Sequence, residues 1–268
     1  MKTATPHRPT GPTAPSLGAY TMSVPRHDLG SPPVDALRVG EVNRLAETSK
    51  SVRKASTTAA AALLAMSVLS AFGYLVAVKG LVVPGNAART ARNITAHESL
   101  FRLGIVSLYL VAALDVVAAW ALYRVFKPVS AGLSRLAAAL RIAYAAVFMI
   151  AISQLFGALR THTLRHINTF TNVWDAGLVL FGLSLFVLAH MAYRSGYVPK
   201  LLGLLLAIAG FGYVFDTVAR ALVQGSSSDV SAVTGMGEFV FALWLVIRGR
   251  RIALCDSGSH DDSIGAGR

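Results

Sequence analysis

The chain has 268 residues, 54% of them hydrophobic and only 14% charged, with a formal net charge of +12. Soluble domains carry roughly a quarter charged residues, so this composition excludes an ordinary water-soluble globule. The basic excess does not point to nucleic acid, because Lys and Arg flank apolar runs instead of forming one patch. A single cysteine, Cys255, excludes an intrachain disulfide and a thiol redox pair.

Residues 1–54 are rich in Pro, Thr, Ser and Ala, and prolines from Pro6 to Pro33 interrupt any periodic pattern. They read as a disordered tail. Lys50, Arg53 and Lys54 precede a first apolar run, residues 57–78. A cleavable leader has a shorter apolar core and a small-residue cleavage site. The run instead has the roughly twenty residues that a helix needs to cross the hydrocarbon layer, and it is kept as the first span.

Five more apolar runs follow, at residues 103–123, 136–159, 174–193, 201–219 and 230–247. Pro84-Gly85, Lys127-Pro128, Ser195-Gly196 with Pro199, and the Gly-Ser-rich stretch 225–229 punctuate them as turns do. The connections are short, so consecutive helices should be antiparallel neighbours. The fold class predicted is all-α, a polytopic transmembrane bundle of six helices over residues 55–249, followed by a disordered cytoplasmic tail, residues 250–268.

Orientation comes from the basic flanks, because positive charge is retained on the cytoplasmic side. Lys50, Arg53, Lys54, Arg124, Lys127, Arg135, Arg194, Lys200, Arg248, Arg250 and Arg251 fall on one side. Lys79, Arg89, Arg92, Arg102, Arg160, Arg165 and Arg220 fall on the other, along longer connections. The bias places both termini in the cytoplasm.

A charge at bilayer depth costs about 3 kcal/mol or more on insertion scales, so such residues should face the bundle interior with partners. Asp115 and Arg141 sit at similar depth on consecutive helices and are expected to pair, fixing helix register. Asp175, Asp216, Arg220 and Glu238, with Arg102 at the mouth of the second span, are expected to form a polar layer near the opposite surface. Such a layer suits a proton, a cation or a small basic solute. It equally suits a hydrogen-bonded lock between helices, with Asp175 capping its own helix. Trp174, Tyr193, Tyr197 and Tyr213, near helix ends, suit an interfacial aromatic belt. Gly177, Gly182, Gly203, Gly210 and Gly212 allow close helix approach.

His162 and His166 are four apart, and His97 lies in another connection on the same predicted side. The spacing places two imidazoles on one helix face, the arrangement a metal would need. Neither His-Glu-x-x-His nor a third ligand at fixed spacing is present, and solvated loop histidines are the preferred reading over a metal site. No nucleophile elbow, phosphate loop or dinucleotide fingerprint occurs, and no cofactor is expected.

The run Leu81-Val82-Val83-Pro84-Gly85, with Asn93-Ile94 and residues 98–105, resembles the start of the bacterial domain-of-unknown-function 4386 family. Asp115, Tyr123, Lys127-Pro128-Val129, Arg141, Asp175, Phe181-Gly182, Ser195-Gly196-Tyr197, Gly210, Gly212-Tyr213, Gly237-Glu238 and Trp244 continue the likeness. The resemblance implies a multi-pass protein of bacterial cytoplasmic membranes with no assigned reaction, so it supplies no catalytic residue. The working expectation is a non-enzymatic bundle that binds or passes a small solute or proton. The alternatives are an accessory subunit that binds a membrane protein partner and a metal-dependent intramembrane enzyme using His97, His162 and His166. The lipid bilayer is the common partner of all three.

Overall fold

Apolar runs of this length form helices because lipid offers no hydrogen-bond partner to an open backbone. A computed structural model describes residues 34–161, 163–222, 230 and 236–248. The chain divides into two units. Of the first, Met1–Glu41, the described residues 34–41 are helical; the second, Val42–Arg268, holds the bundle.

The helices are α1 (Val34–Ser70), which continues as a π-helical segment (Ala71–Lys79), α2 (Ala87–Ala96), α3 (Glu98–Phe126), α4 (Ala131–Thr161), α5 (Leu164–Arg194), α6 (Lys200–Leu222) and α7 (Met236–Arg248). No strand occurs among the described residues. Residues 34–54, assigned from sequence to a disordered tail, are helical. The last proline of the amino-terminal region is Pro33, and beyond it Gly40 alone is a poor helix former before the apolar run.

Five helical stretches are long and apolar enough to cross a bilayer: Ala46–Lys79, Glu98–Phe126, Ala131–Thr161, Leu164–Arg194 and Lys200–Leu222. Their outward faces are greasy, with Leu103, Val106, Leu110, Leu201, Leu204 and Phe211 all exposed. A water-soluble monomer does not present apolar surface continuously around its circumference, and this is a multi-pass membrane protein. The run at residues 230–247 lies partly outside the described residues, and its described helix, Met236–Arg248, has 13 residues.

Local chemistry explains where the helices stop. Asn86 caps α2 by accepting the Arg89 amide at 2.9 Å, and Gly85 before it takes a φ of 73°, which favours glycine. Between α5 and α6, Gly196 has a φ of 72°, and the Ser195 hydroxyl accepts the Val198 amide at 3.2 Å. Pro199 then stands directly ahead of α6, where a missing N–H costs nothing. Burial pushes the Tyr197 hydroxyl up from its ordinary pKa, and it donates to the Val125 carbonyl at 2.9 Å, tying this turn to the end of α3.

Each helix packs on the next, and α7 closes the bundle by returning to α3, where the rings of Phe241 and Phe126 stack at 6.5 Å. Arg124 on α3 donates to Ser51 on α1 at 2.8 Å, so the turns after α3 and α5 share one end of the bundle, the Arg124 end. The opposite end, the Arg220 end, carries α2, the start of α5 and the end of α6. α2 was not anticipated within the first connection. It is amphipathic, with Thr90 and Ile94 buried and Arg89 and Arg92 exposed, and Thr90 and Asn93 bind it to the backbone of residues 81–86.

The α1 to π transition occurs where the Ser107 hydroxyl of α3 donates to the Leu69 carbonyl at 2.8 Å, an insertion of the kind that alters a helical ladder. Backbones approach closely at α5 and α6. A Cβ on Gly182 would stand 2.7 Å from the Gly210 carbonyl oxygen, so neither position has room for a side chain. Gly182→Ala is therefore expected to cost about 1–3 kcal/mol through overpacking. Gly132→Ala, with nothing within 4 Å of its Cβ, should be neutral or slightly stabilising. Thermal unfolding of both variants in detergent checks the contrast.

Candidate functional site

The interior of the bundle contains two clusters, each of one arginine and two carboxylates. In the inner cluster, Arg141 of α4 donates through Nε to Asp115 Oδ1 of α3 and through Nη2 to Glu238 Oε1 of α7 at 2.7 Å. Counting about 1.5 Å per residue, Asp115 lies about 16 Å from the end of α3, and Arg141 and Glu238 about 15 Å from the same end in their helices. These helix ends extend beyond the apolar runs, and counted within the runs Asp115 is about 12 Å and Arg141 about 8 Å from the boundary, inside a hydrocarbon layer about 30 Å thick. α4 starts at Ala131, five residues before the apolar run, so its first turn adds helix length and not depth.

Arg141 is among the largest side chains that are fully buried. Its guanidinium carbon lies 4.8 Å from the centre of the Phe181 ring on α5, so four helices surround it. Such stacking adds to the two ion pairs and suits arginine better than lysine. Among the described residues, Asp115 Oδ2 is buried without a hydrogen-bond partner.

The second cluster is nearer the Arg220 end. Arg220 Nη1 stands 2.7 Å from Asp175 Oδ2 and Nη2 stands 3.9 Å from Asp216 Oδ2, joining α6 to α5. Asp216 is fully buried and accepts the Val230 amide at 3.2 Å. The Thr217 hydroxyl donates to the Asp175 carbonyl at 2.9 Å. Asp175 is not a helix cap: α5 begins at Leu164, and Asp175 lies in its fourth turn. The residues before Trp174 are polar enough to lower hydropathy, yet Leu164, Ile167 and Phe170 recur at helical spacing and turn inward or partly inward.

Two members of the sequence-derived layer are elsewhere. Glu238 belongs to the inner cluster, because α7, packed on α6, sends its carboxylate to Arg141 of α4 and its Phe241 ring to Phe126 of α3. Arg102 pairs with Glu98 one turn away, 2.6 Å apart on an exposed surface, and does not enter the interior. Asp175, Asp216 and Arg220 are together.

Between the clusters runs a packed aromatic column. Tyr144 lies 4.8 Å from Phe181, which meets Tyr213 edge-on at 5.2 Å; Phe148 lies 5.3 Å from Trp174, which meets Tyr74 edge-on at 4.7 Å. The Trp174 indole donates to the Tyr144 hydroxyl at 2.9 Å. Trp174 and Tyr213 are therefore half-buried against the core and held in the aromatic column, whereas Tyr193 is exposed beneath the Lys200 ammonium. Sequence position placed them nearer a helix end than they are, because α5 and α6 extend beyond their apolar runs.

A family model described as domain of unknown function DUF4386 matches residues 58–249, nearly the whole bundle. This chain belongs to the DUF4386 family. An uncharacterised protein of Archaeoglobus fulgidus is 38% identical over 149 residues, which is 56% of this chain and 85% of that relative. No solved structure matches. All six residues of the two DUF4386 clusters lie within the matched region.

His97 joins α2 to α3 and makes no side-chain capping bond, His166 packs against Gly157 of α4, and His162 lies outside the described residues. Among the described residues, no group of three His, Cys, Asp or Glu is arranged to hold a metal ion.

Removing one partner from a buried ion pair leaves an uncompensated charge. Arg141→Met should therefore destabilise this DUF4386 bundle by roughly 3–5 kcal/mol. Combining it with Asp115→Leu and Glu238→Leu should recover much of the loss, because an apolar cluster of similar volume leaves no charge buried. Chemical or thermal unfolding of the purified variants measures both effects.

Proposed function

We propose that this protein binds a single proton inside the membrane, in the inner cluster, and passes it between the two ends of the bundle. The observation that carries this reading is a charge imbalance beside an unsatisfied atom. One guanidinium faces two carboxylates, so the fully ionised cluster holds one excess negative charge, and Asp115 Oδ2 has no partner among the described residues. An uncompensated charge at this depth costs about 3 kcal/mol or more, and one proton removes it. A proton fits better than a larger solute, because the cavity touching Arg141 has a volume of about 10 Å³.

The second cluster has the same ratio of one arginine to two carboxylates, about 9 Å nearer the Arg220 end as judged from the six residues separating Asp175 and Phe181. It supplies a second station on a path whose polar groups include the hydroxyls of Tyr213 and Tyr144. We further propose six crossings, with α7 as the last, and both termini on the cytoplasmic side of a bacterial inner membrane. The Arg124 end carries the denser basic flanks, and Arg102 and Arg220 at the other end are engaged by carboxylates.

The test uses full-length protein in lipid nanodiscs and in proteoliposomes. Infrared titration should show one buried protonated carboxyl group whose band is lost in Glu238→Gln or Asp115→Asn. Both variants should remain folded while proton flux down an imposed pH gradient disappears. If the wild type shows no such band, or the folded variants carry the same flux, the protein is not a proton carrier, and the cluster serves only to lock α3, α4 and α7 together.

A further inference from the structure

The two sides of the inner cluster are built differently. Toward the Arg220 end, the space next to Arg141 is filled by Phe181, Tyr144 and Phe148, with Trp174 and Tyr213 behind them. Toward the Arg124 end, α3, α4 and α5 leave a cavity of about 10 Å³. Its lining includes Arg141, Tyr123, Ser134, Ala137, Ala138 and Met191. Ser134 and Ala137 lie about two turns and one turn from Arg141 in the direction of the Arg124 end.

The lining is chemically suited to water. Ser134 is buried, and the bond its hydroxyl makes is to the Met191 sulfur at 3.5 Å, an acceptor much weaker than oxygen. A guanidinium has five N–H donors, and the ion pairs of Arg141 engage Nε and one hydrogen of Nη2. The Tyr123 phenol adds a further polar group. A water requires roughly 10–15 Å³ and two to four polar partners; this cavity meets the lower bound of size and offers three such groups. Cavities that stay empty are apolar, and this lining, although mostly aliphatic, includes three polar side chains.

We propose that this cavity is a hydration site and that it is the route by which water reaches the inner cluster from the Arg124 end, the aromatic column closing the opposite side to water while its tyrosine hydroxyls remain the path for a proton. The hydration site stands on cavity size and lining alone; its use as a proton route rests on the proton-binding reading above. Ala137 and Ala138 keep the site open, because a larger side chain at either would occupy it.

Radiolytic footprinting tests this directly, since X-ray pulses turn ordered water into hydroxyl radicals that oxidise the nearest side chains. The full chain in nanodiscs should show rapid oxidation of Met191 and Tyr123, although Met191 is fully buried, while Phe148 and Trp174 remain unmodified. Ala138→Leu should reduce Met191 oxidation to the background seen at Phe148, and Ala137→Val serves if that variant does not fold. Protection of Met191 equal to that of Phe148 in the wild type would overturn the hydration site. Oxidation of Trp174 as fast as that of Met191 would overturn the one-sided access. Labelled Met191 without a titrating carboxyl band would leave the hydration site standing and remove the proton-binding reading instead.

Discussion

A guanidinium inside a membrane-spanning bundle has to be surrounded by protein, and the architecture of this bundle follows from that requirement. Arg141 takes Asp115 from α3, Glu238 from α7 and the Phe181 ring from α5, so one side chain sets the register of four helices. A sliding helix would move a carboxylate away from its only good partner. Ordinary apolar packing in lipid gives no such register, because lipid tails are as apolar as leucine. The glycine contacts between α5 and α6 and between the π-helical segment and α3 then fix how close the helices come.

The same cluster makes the bundle chemically asymmetric along the membrane normal. Aromatic rings occupy the space between the two arginine clusters, and small residues with a serine occupy the space between Arg141 and the Arg124 end. Aromatic packing excludes water by filling volume, whereas alanine and serine leave volume and offer a hydrogen-bonding group. The position of the inner cluster between a filled half and a water-sized gap gives the proton reading a direction. The second cluster, with its identical ratio of charges, lies where the filled half meets the opposite surface.

The membrane class, the approximate positions of the spans and the membership of the family were legible from the residues. Apolar runs and Gly-Pro punctuation survive into the structure because backbone satisfaction in lipid leaves helix as the available choice. The membrane cost of charge also singled out Asp115, Arg141, Asp175, Asp216 and Glu238, each of which has an arginine or carboxylate partner. Helix ends were less legible, since hydropathy measures apolarity and not helicity. Thus α5 begins ten residues before its apolar run, and α1 reaches back to Val34. Those extensions brought Trp174 and Tyr213 against the core and carried Asp175 away from a capping position.

What the sequence by itself determined is that the chain enters lipid and that its few ionised groups must satisfy one another there. Only the tertiary structure decided the partners. Asp115 and Arg141 are on consecutive helices, and a hairpin brings them together from local order alone. Glu238 meets Arg141 from 97 positions away because α7 returns to the first half of the bundle, and no periodicity records that return. Arg102 settled on Glu98 because a partner one helical turn away requires no tertiary folding to reach. Depth in the membrane is a one-dimensional property that residues reveal in order, whereas lateral neighbourhood depends on how helices are arranged around one another.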